Sequence, residues 1–121
     1  MSVSLDLTKS SIMEKIDFDH FSNLDIRIGK VLSAERVERS DKLILLKVDL
    51  GEDKDRQLVA GIGNVYEPED LIDTFVTVLA NLKPREIFGH ESNGMILAAG
   101  TQDGPVILSP RNHVEPGSSV S

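Results

Sequence analysis

Apolar residues in this chain fall in short runs separated by polar stretches rich in Gly, Pro, Asn and Asp, a pattern that predicts strands rather than long helices. The first strand is expected over residues 24–37. Leu24, Ile26 and Ile28 share one face, with Asp25 and Arg27 on the other. Gly29 interrupts the alternation and Lys30 stands where an apolar residue is due, which predicts a bend. Arg39-Ser40-Asp41-Lys42 has turn chemistry. A second strand follows over 43–50, apolar on both faces at its start, then an acidic turn over 51–55 and a third strand over 57–62. Pro68 opens a short helix whose acids, Glu69 and Asp70, sit at the positive end of its dipole. Strands four and five are expected over 75–82 and 95–99, and a further short strand over 106–108. Pro110, Pro116 and Gly117 predict an irregular tail. Residues 1–16 read as a poorly ordered leader, and 17–121 as one domain. Within it, Asp17 is expected to cap a helical turn that directs Phe18 and Phe21 to the core.

Three strands, a short helix and two more strands, with a bend in the first, predict an all-β fold. Its form is a five-stranded OB-fold barrel with the helix between strands three and four and an extra C-terminal strand and tail. Such barrels bind oligonucleotides across strands two and three, flanked by the loops after strands one and four. Those loops correspond here to residues 38–42, with Arg39 and Lys42, and 82–94, with Lys83 and Arg85. Pro84 fixes its own φ and presses Lys83 toward extended geometry. A polar loop held by strands on both sides is the expected binding surface.

Composition narrows the chemistry. The chain has 121 residues, no cysteine and no apolar run long enough to span a membrane. Disulfides, thiolate metal sites and cysteine nucleophiles are excluded. The N-terminus does not have the pattern of a secretory signal, and the expected compartment is the cytoplasm. The net charge is −7, unevenly spread. Residues 21–50 hold six cations against five acids, whereas residues 51–80 hold two against seven. A general grip on nucleic acid is not expected from that balance, but a local basic face is compatible with it. Aromatic content of 4% is too low for a base-stacking platform; it argues against a generic single-strand binder and favours recognition of folded RNA by shape, or another partner. His20, His90 and His113 show no metal-ligand spacing, and the helix dipole accounts for Glu67, Glu69 and Asp70. No nucleophile elbow or phosphate-cradling glycine loop is present, so neither catalysis nor a cofactor is expected.

The motifs Phe21-x-x-Leu24-Asp25-Ile26-Arg27-Ile28-Gly29, Ser40-Asp41-Lys42-Leu43, Val48-Asp49-Leu50-Gly51, Ala60-Gly61-Ile62, Asn81-Leu82-Lys83-Pro84-Arg85 and Ser92-x-Gly94-Met95 follow one another in this order. Together with Val114-x-Pro116-Gly117-x-x-Val120, they resemble the tRNA-binding domain family over nearly the whole chain. That family includes the C-terminal appendix of methionyl-tRNA synthetase and small free-standing tRNA-binding proteins. The resemblance implies a homodimeric OB-fold that binds tRNA by its structure, without catalysis, beside or within the synthetase. It also implies that Lys83, Arg85, Ser92 and Met95 face tRNA on the loop and strand five, and Lys42 on the opposite loop. Three positions that are often basic in the family are here Asn64, Glu86 and Phe88. Because a related CsaA-type secretion chaperone has the same fold, a protein-binding module is the alternative, consistent with the acidic charge, Glu86 and Phe88.

Each candidate has two readings. Lys83 and Arg85 are phosphate donors or solvated loop cations. Ser92 and Asn93 present a hydroxyl and an amide to ribose or phosphate, or bond their own turn. Met95 packs on a base or fills the core at a strand start. Arg27 pairs with Asp25 or Glu35 on the surface or contributes to RNA binding, and Lys30 lines the groove. His90 is an additional polar contact. Residues 106–108 are the expected dimer interface.

Overall fold

The computed structural model describes residues 13–121; the expected leader lies largely outside them. A five-residue helix, α1 (Phe18–Ser22), precedes an eleven-residue strand, β1 (Ile26–Arg36). Then come β2 (Ile44–Asp49), β3 (Arg56–Ala60), a one-turn helix α2 (Pro68–Leu71) and β4 (Phe75–Leu79). The chain continues through β5 (Arg85–Ile87), β6 (His90–Ser92) and β7 (Met95–Ile96). It ends with β8 (Ala98–Thr101), β9 (Gly104–Ile107) and β10 (Ser119–Val120).

β1 organises the sheet because it has different neighbours at its two ends. Residues 26–30 pair antiparallel with β4, and residues 30–36 with β2. The strand order β3-β2-β1-β4-β7 follows. The predicted bend is present but has two separate causes. Gly29 supplies close approach: a Cβ there would lie 2.4 Å from Val48 Cγ1 and 2.7 Å from Leu50 Cδ2. The register shift itself falls between Val31 and Ser33, where the extra residue, Leu32, is turned out to solvent.

The barrel interior is aliphatic. Val31, Ile44, Leu46, Val48, Leu50, Leu58, Val76 and Val78 are its largest fully buried side chains. Ile44, Leu46 and Val48 take alternate positions of β2, with Leu50 continuing them just beyond it, and Val76 and Val78 alternate positions of β4; Val31 comes from β1 and Leu58 from β3. The last gap, between β3 and the segment before β7, is closed without a regular ladder. Asn93 N donates to Gln57 O (2.9 Å), and Val59 N donates to the hydroxyl of Ser92 (3.0 Å). Gly94 follows at φ +135°, where a side chain would press on Leu58 and on the Leu79 carbonyl.

Three expectations need correction. α1 buries no residue; Phe18 is 75% exposed and leans on Phe21, and Asp17 makes no side-chain cap. The expected fifth strand breaks at Leu97. Met95–Ile96 stay with β4, and Ala98–Thr101 pair with Gly104–Ile107 as a separate hairpin. The tail is not wholly irregular, because β10 pairs with Ile26 and Arg27 along the edge of β1 that β2 leaves free. Tyr66 Oη accepts from Ile107 N, and Thr77 Oγ1 donates to Leu108 O, so a half-buried and a buried hydroxyl anchor the C-terminal extension.

Two stability measurements check this account. Gly29→Ala is expected to cost about 1–3 kcal/mol in urea unfolding, because the added methyl overpacks Val48 and Leu50. Ser92→Ala is expected to cost about 1–3 kcal/mol by leaving the buried Val59 N–H without an acceptor.

Candidate nucleic-acid interface

The segment expected as a loop over 82–94 is largely a hairpin. β5 and β6 pair Arg85 with Ser92, Glu86 with Glu91, and Ile87 with His90. The turn between them is Phe88-Gly89, with φ +48° and +81°. Positive φ at both central residues is the hallmark of a type I′ turn, whose twist matches that of the strands.

This hairpin rests on a second apolar cluster outside the barrel. Val37, Leu43 and Val59 are buried there, with Leu45 and Ile87 packed against them. The cluster explains why the second strand is apolar on both faces: Ile44 and Leu46 fill the barrel, while Leu43 and Leu45 lie under the hairpin. Alternation along β5 then puts Arg85 and Ile87 on the same face and Glu86 on the other. The acid at position 86 is therefore directed away from the face that carries Arg85.

Arg56 fixes the ends of the 81–93 segment. Its side chain, 15% exposed, donates from Nη1 to the carbonyls of Ala80 (2.8 Å) and Asn93 (2.9 Å) and grips both carboxylate oxygens of Glu52. Gln57 Nε2 donates to Glu91 O (2.9 Å).

Between the hairpin and the barrel lies a groove of about 490 Å³ lined by Val59, Leu82, Lys83, Pro84, Arg85, Ile87, Ser92, Gly94 and Met95. A contiguous hollow shares Val59, Arg85, Ile87 and Met95 and reaches Lys42. Four sequence-predicted residues, Lys42, Lys83, Arg85 and Met95, thus surround one surface, and all four are exposed. Ser92 lines the groove but is only 5% exposed, and its hydroxyl is engaged by Val59 N and Gly94 O. Of its two readings, the geometry matches the structural one. Asn93 is half-buried, and its backbone carries the seam: N–H to Gln57, carbonyl to Arg56.

Arg27 and Lys30 are not in the groove. Arg27 bonds Asp25 through Nε and Nη2, both at 3.0 Å, and lies 3.7 Å from Glu52. The hydrogen bond to Asp25, reinforced by both negative charges, raises the Arg27 pKa above its ordinary value. Lys30 Nζ lies 3.9 Å from Asp73. Arg36 is likewise held by Glu67 at 3.1 Å. By contrast, Lys42, Lys83 and Arg85 make no ion pair within 4.0 Å among the described residues. Arg27, Lys30, Arg36 and Arg56 are thus committed to acids of the fold, whereas the three cations around the groove are not. Among the described residues, no three His, Asp or Glu side chains are grouped closely enough to hold a metal ion.

Val59, Ile87 and Arg56 were not identified from the sequence as parts of the site. The alternation Arg85-Glu86-Ile87, interrupted by Gly89, carried a hairpin signal for Ile87. Nothing local marks Arg56, whose carbonyl partners are 24 and 37 residues away.

If the groove cations contact phosphates, Lys83→Ala with Arg85→Ala should weaken binding to folded tRNA more than tenfold. It should also lower the slope of log affinity against log salt by about 1.5–2. Arg27→Ala should leave that slope unchanged.

Comparison with known proteins identifies the family. Residues 26–119 match the family model described as "Putative tRNA binding domain". The methionine–tRNA ligase of Archaeoglobus fulgidus is 52% identical over 107 residues, covering 88% of this chain and 16% of the ligase. That of Thermotoga maritima is 46% identical over 114 residues, 94% of this chain and 18% of the ligase. The chain therefore spans less than a fifth of these ligases. The crystal structure of a MetRS related protein from Pyrococcus horikoshii superposes with a TM-score of 0.83 at 36% identity, covering 90% of this chain and 100% of that one. Chaperone CsaA from Bacillus anthracis gives 0.80 at 31% identity, covering 89% and 100%. With a family match spanning most of the barrel and solved relatives sharing its architecture, the chain belongs to the tRNA-binding domain family.

Proposed function

We propose that the groove between the β5–β6 hairpin and β3 is the tRNA-binding face, and that the chain is an auxiliary binding module without catalysis. The observation that carries this reading is the convergence of unpaired Lys42, Lys83 and Arg85 on one apolar-floored groove, while Arg27, Arg36 and Arg56 are bound to acids. Phosphates engage the three free cations, and Met95, 46% exposed, offers a soft contact to a base or ribose. The net charge of −7 does not oppose this, because the field at the groove is set by nearby charges and not by the sum. The module works by position. Holding folded tRNA raises its local concentration for a methionine–tRNA ligase, whether the two are one chain or separate. A homodimer in the cytoplasm completes the reading. Val106 and Leu108, 45% and 46% exposed, offer apolar area for a second copy. No helix among the described residues is long and apolar enough to cross a membrane.

A second reading has one specific observation in its favour. Phe88 is 63% exposed at the hairpin tip, and structures of chaperone CsaA share the fold at a TM-score of 0.80. In that case the groove takes an apolar peptide.

Fluorescence anisotropy separates the two. The tRNA reading expects folded tRNA to bind more tightly than unstructured RNA of equal length, with affinity falling steeply from low to physiological salt. Equal or absent RNA binding, together with salt-insensitive peptide binding abolished by Phe88→Asp, would replace it with the peptide reading.

A further inference from the structure

Beside the cationic groove, the tip of the hairpin and the loop after β1 enclose a hollow of about 400 Å³. It is lined by Glu38, Arg39, Phe88, Gly89 and His90. Two of the three non-glycine residues with positive φ among the described residues meet here, Arg39 at +71° and Phe88 at +48°. An aromatic residue is a poor choice for the first central position of a type I′ turn, where Asn is preferred. The unfavourable backbone holds a phenyl ring in solvent, 63% exposed, next to a guanidinium, a carboxylate and an imidazole. Among the described residues Arg39 and Glu38 make no ion pair within 4.0 Å. Neither is committed to the fold in the way that Arg27 and Arg56 are. The hollow continues the groove through the hairpin itself, because Arg85 and Ile87 line the groove three residues before Phe88 and His90 line the hollow.

We propose that this hollow is a subsite for a single unpaired nucleotide, and that guanine is the base it selects. The proposal rests on the RNA-binding reading of the adjacent groove. Phe88 stacks on the base; one ring suffices for one base even in a chain with few aromatics. Arg39 takes the phosphate of the same nucleotide, for which its planar fork is suited. Glu38 supplies the selectivity. A carboxylate only accepts hydrogen bonds, and guanine alone presents two adjacent donors, N1–H and N2–H, on its Watson–Crick edge. Adenine and cytosine place an acceptor beside their single amino donor, and uracil places acceptors on both sides of its one N–H. The occupant is thus a looped-out guanosine in folded RNA, reached while helix phosphates lie along Lys42, Lys83 and Arg85.

The test uses the intact chain and two variants. Phe88→Asn removes the ring while giving the turn a residue it prefers. The melting temperature is expected to stay equal or rise, while affinity for folded tRNA falls about tenfold with the salt slope unchanged. A purely structural role for Phe88 would keep affinity with the improved turn. Phe88→Trp introduces the only tryptophan in the chain. Its emission should be quenched on titration with tRNA, and single-stranded RNA pentamers with a central G should quench it at lower concentration than those with A, C or U. Wild-type tRNA affinity in Phe88→Asn, or unquenched emission in Phe88→Trp while tRNA is bound, would overturn the subsite and leave the groove reading intact. Equal quenching by all four pentamers would overturn the guanine assignment. Absence of tRNA binding by the wild-type chain, or a tryptophan that responds to an apolar peptide but not to RNA, would overturn the subsite together with the groove reading.

Discussion

The groove side of this barrel depends on a seam with almost no ladder in it. Where β3 meets the end of β6, one backbone bond from Asn93 to Gln57 and one hydroxyl, that of Ser92, take the place of strand pairing. Arg56 then ties Ala80 and Asn93, the two ends of the intervening segment, to one guanidinium. A regular ladder would continue the sheet and leave no groove. The irregular closure keeps the barrel sealed around Leu58 while the chain between its two anchors is free to fold back as a hairpin. Gly94 allows the return to β4, because its backbone conformation and the nearby Leu58 and Leu79 leave no room for a side chain.

An acidic chain with a cation-lined groove poses an electrostatic question that the fold answers by partition. Carboxylates near β1, the 51–55 turn and the α2 region engage Arg27, Lys30, Arg36 and Arg56. Those pairs are largely surface-exposed and contribute little stability individually. Their larger effect is on the field, since they neutralise cations away from the groove, while Lys42, Lys83 and Arg85 around it keep their charge uncompensated by a direct ion pair. Glu86 is removed from that face by strand alternation.

The same partition explains which candidates could be identified from sequence. Lys42, Lys83 and Arg85 belong to the loop positions that the order of strands assigned to one end of the barrel, Met95 opens the strand that follows, and all four line one surface. Arg27 and Lys30 had a claim only through their place in the first strand. Whether such a cation is free depends on Asp25, Glu52 and Asp73, and two of those three are distant in sequence. Ser92 shows the same limit: a hydroxyl in a Ser-Asn-Gly turn is equally suited to a ligand or to a neighbouring strand, and here Val59 N–H claims it.

The sequence by itself determined the barrel: the run of strands and helix, the bend near Gly29 and the loops that carry the cations. These follow from local periodicity, from the turn residues and from the lack of space that a glycine signals, all of which act within a few residues. Only the tertiary structure decided three features: the hairpin over 85–92 seated on Val37, Leu43 and Val59, the clamp from Arg56, and the pairing of β10 with β1. Each joins positions tens of residues apart, and each depends on which apolar surface or backbone group remains unsatisfied once the barrel has closed. That remainder exists only in the assembled fold.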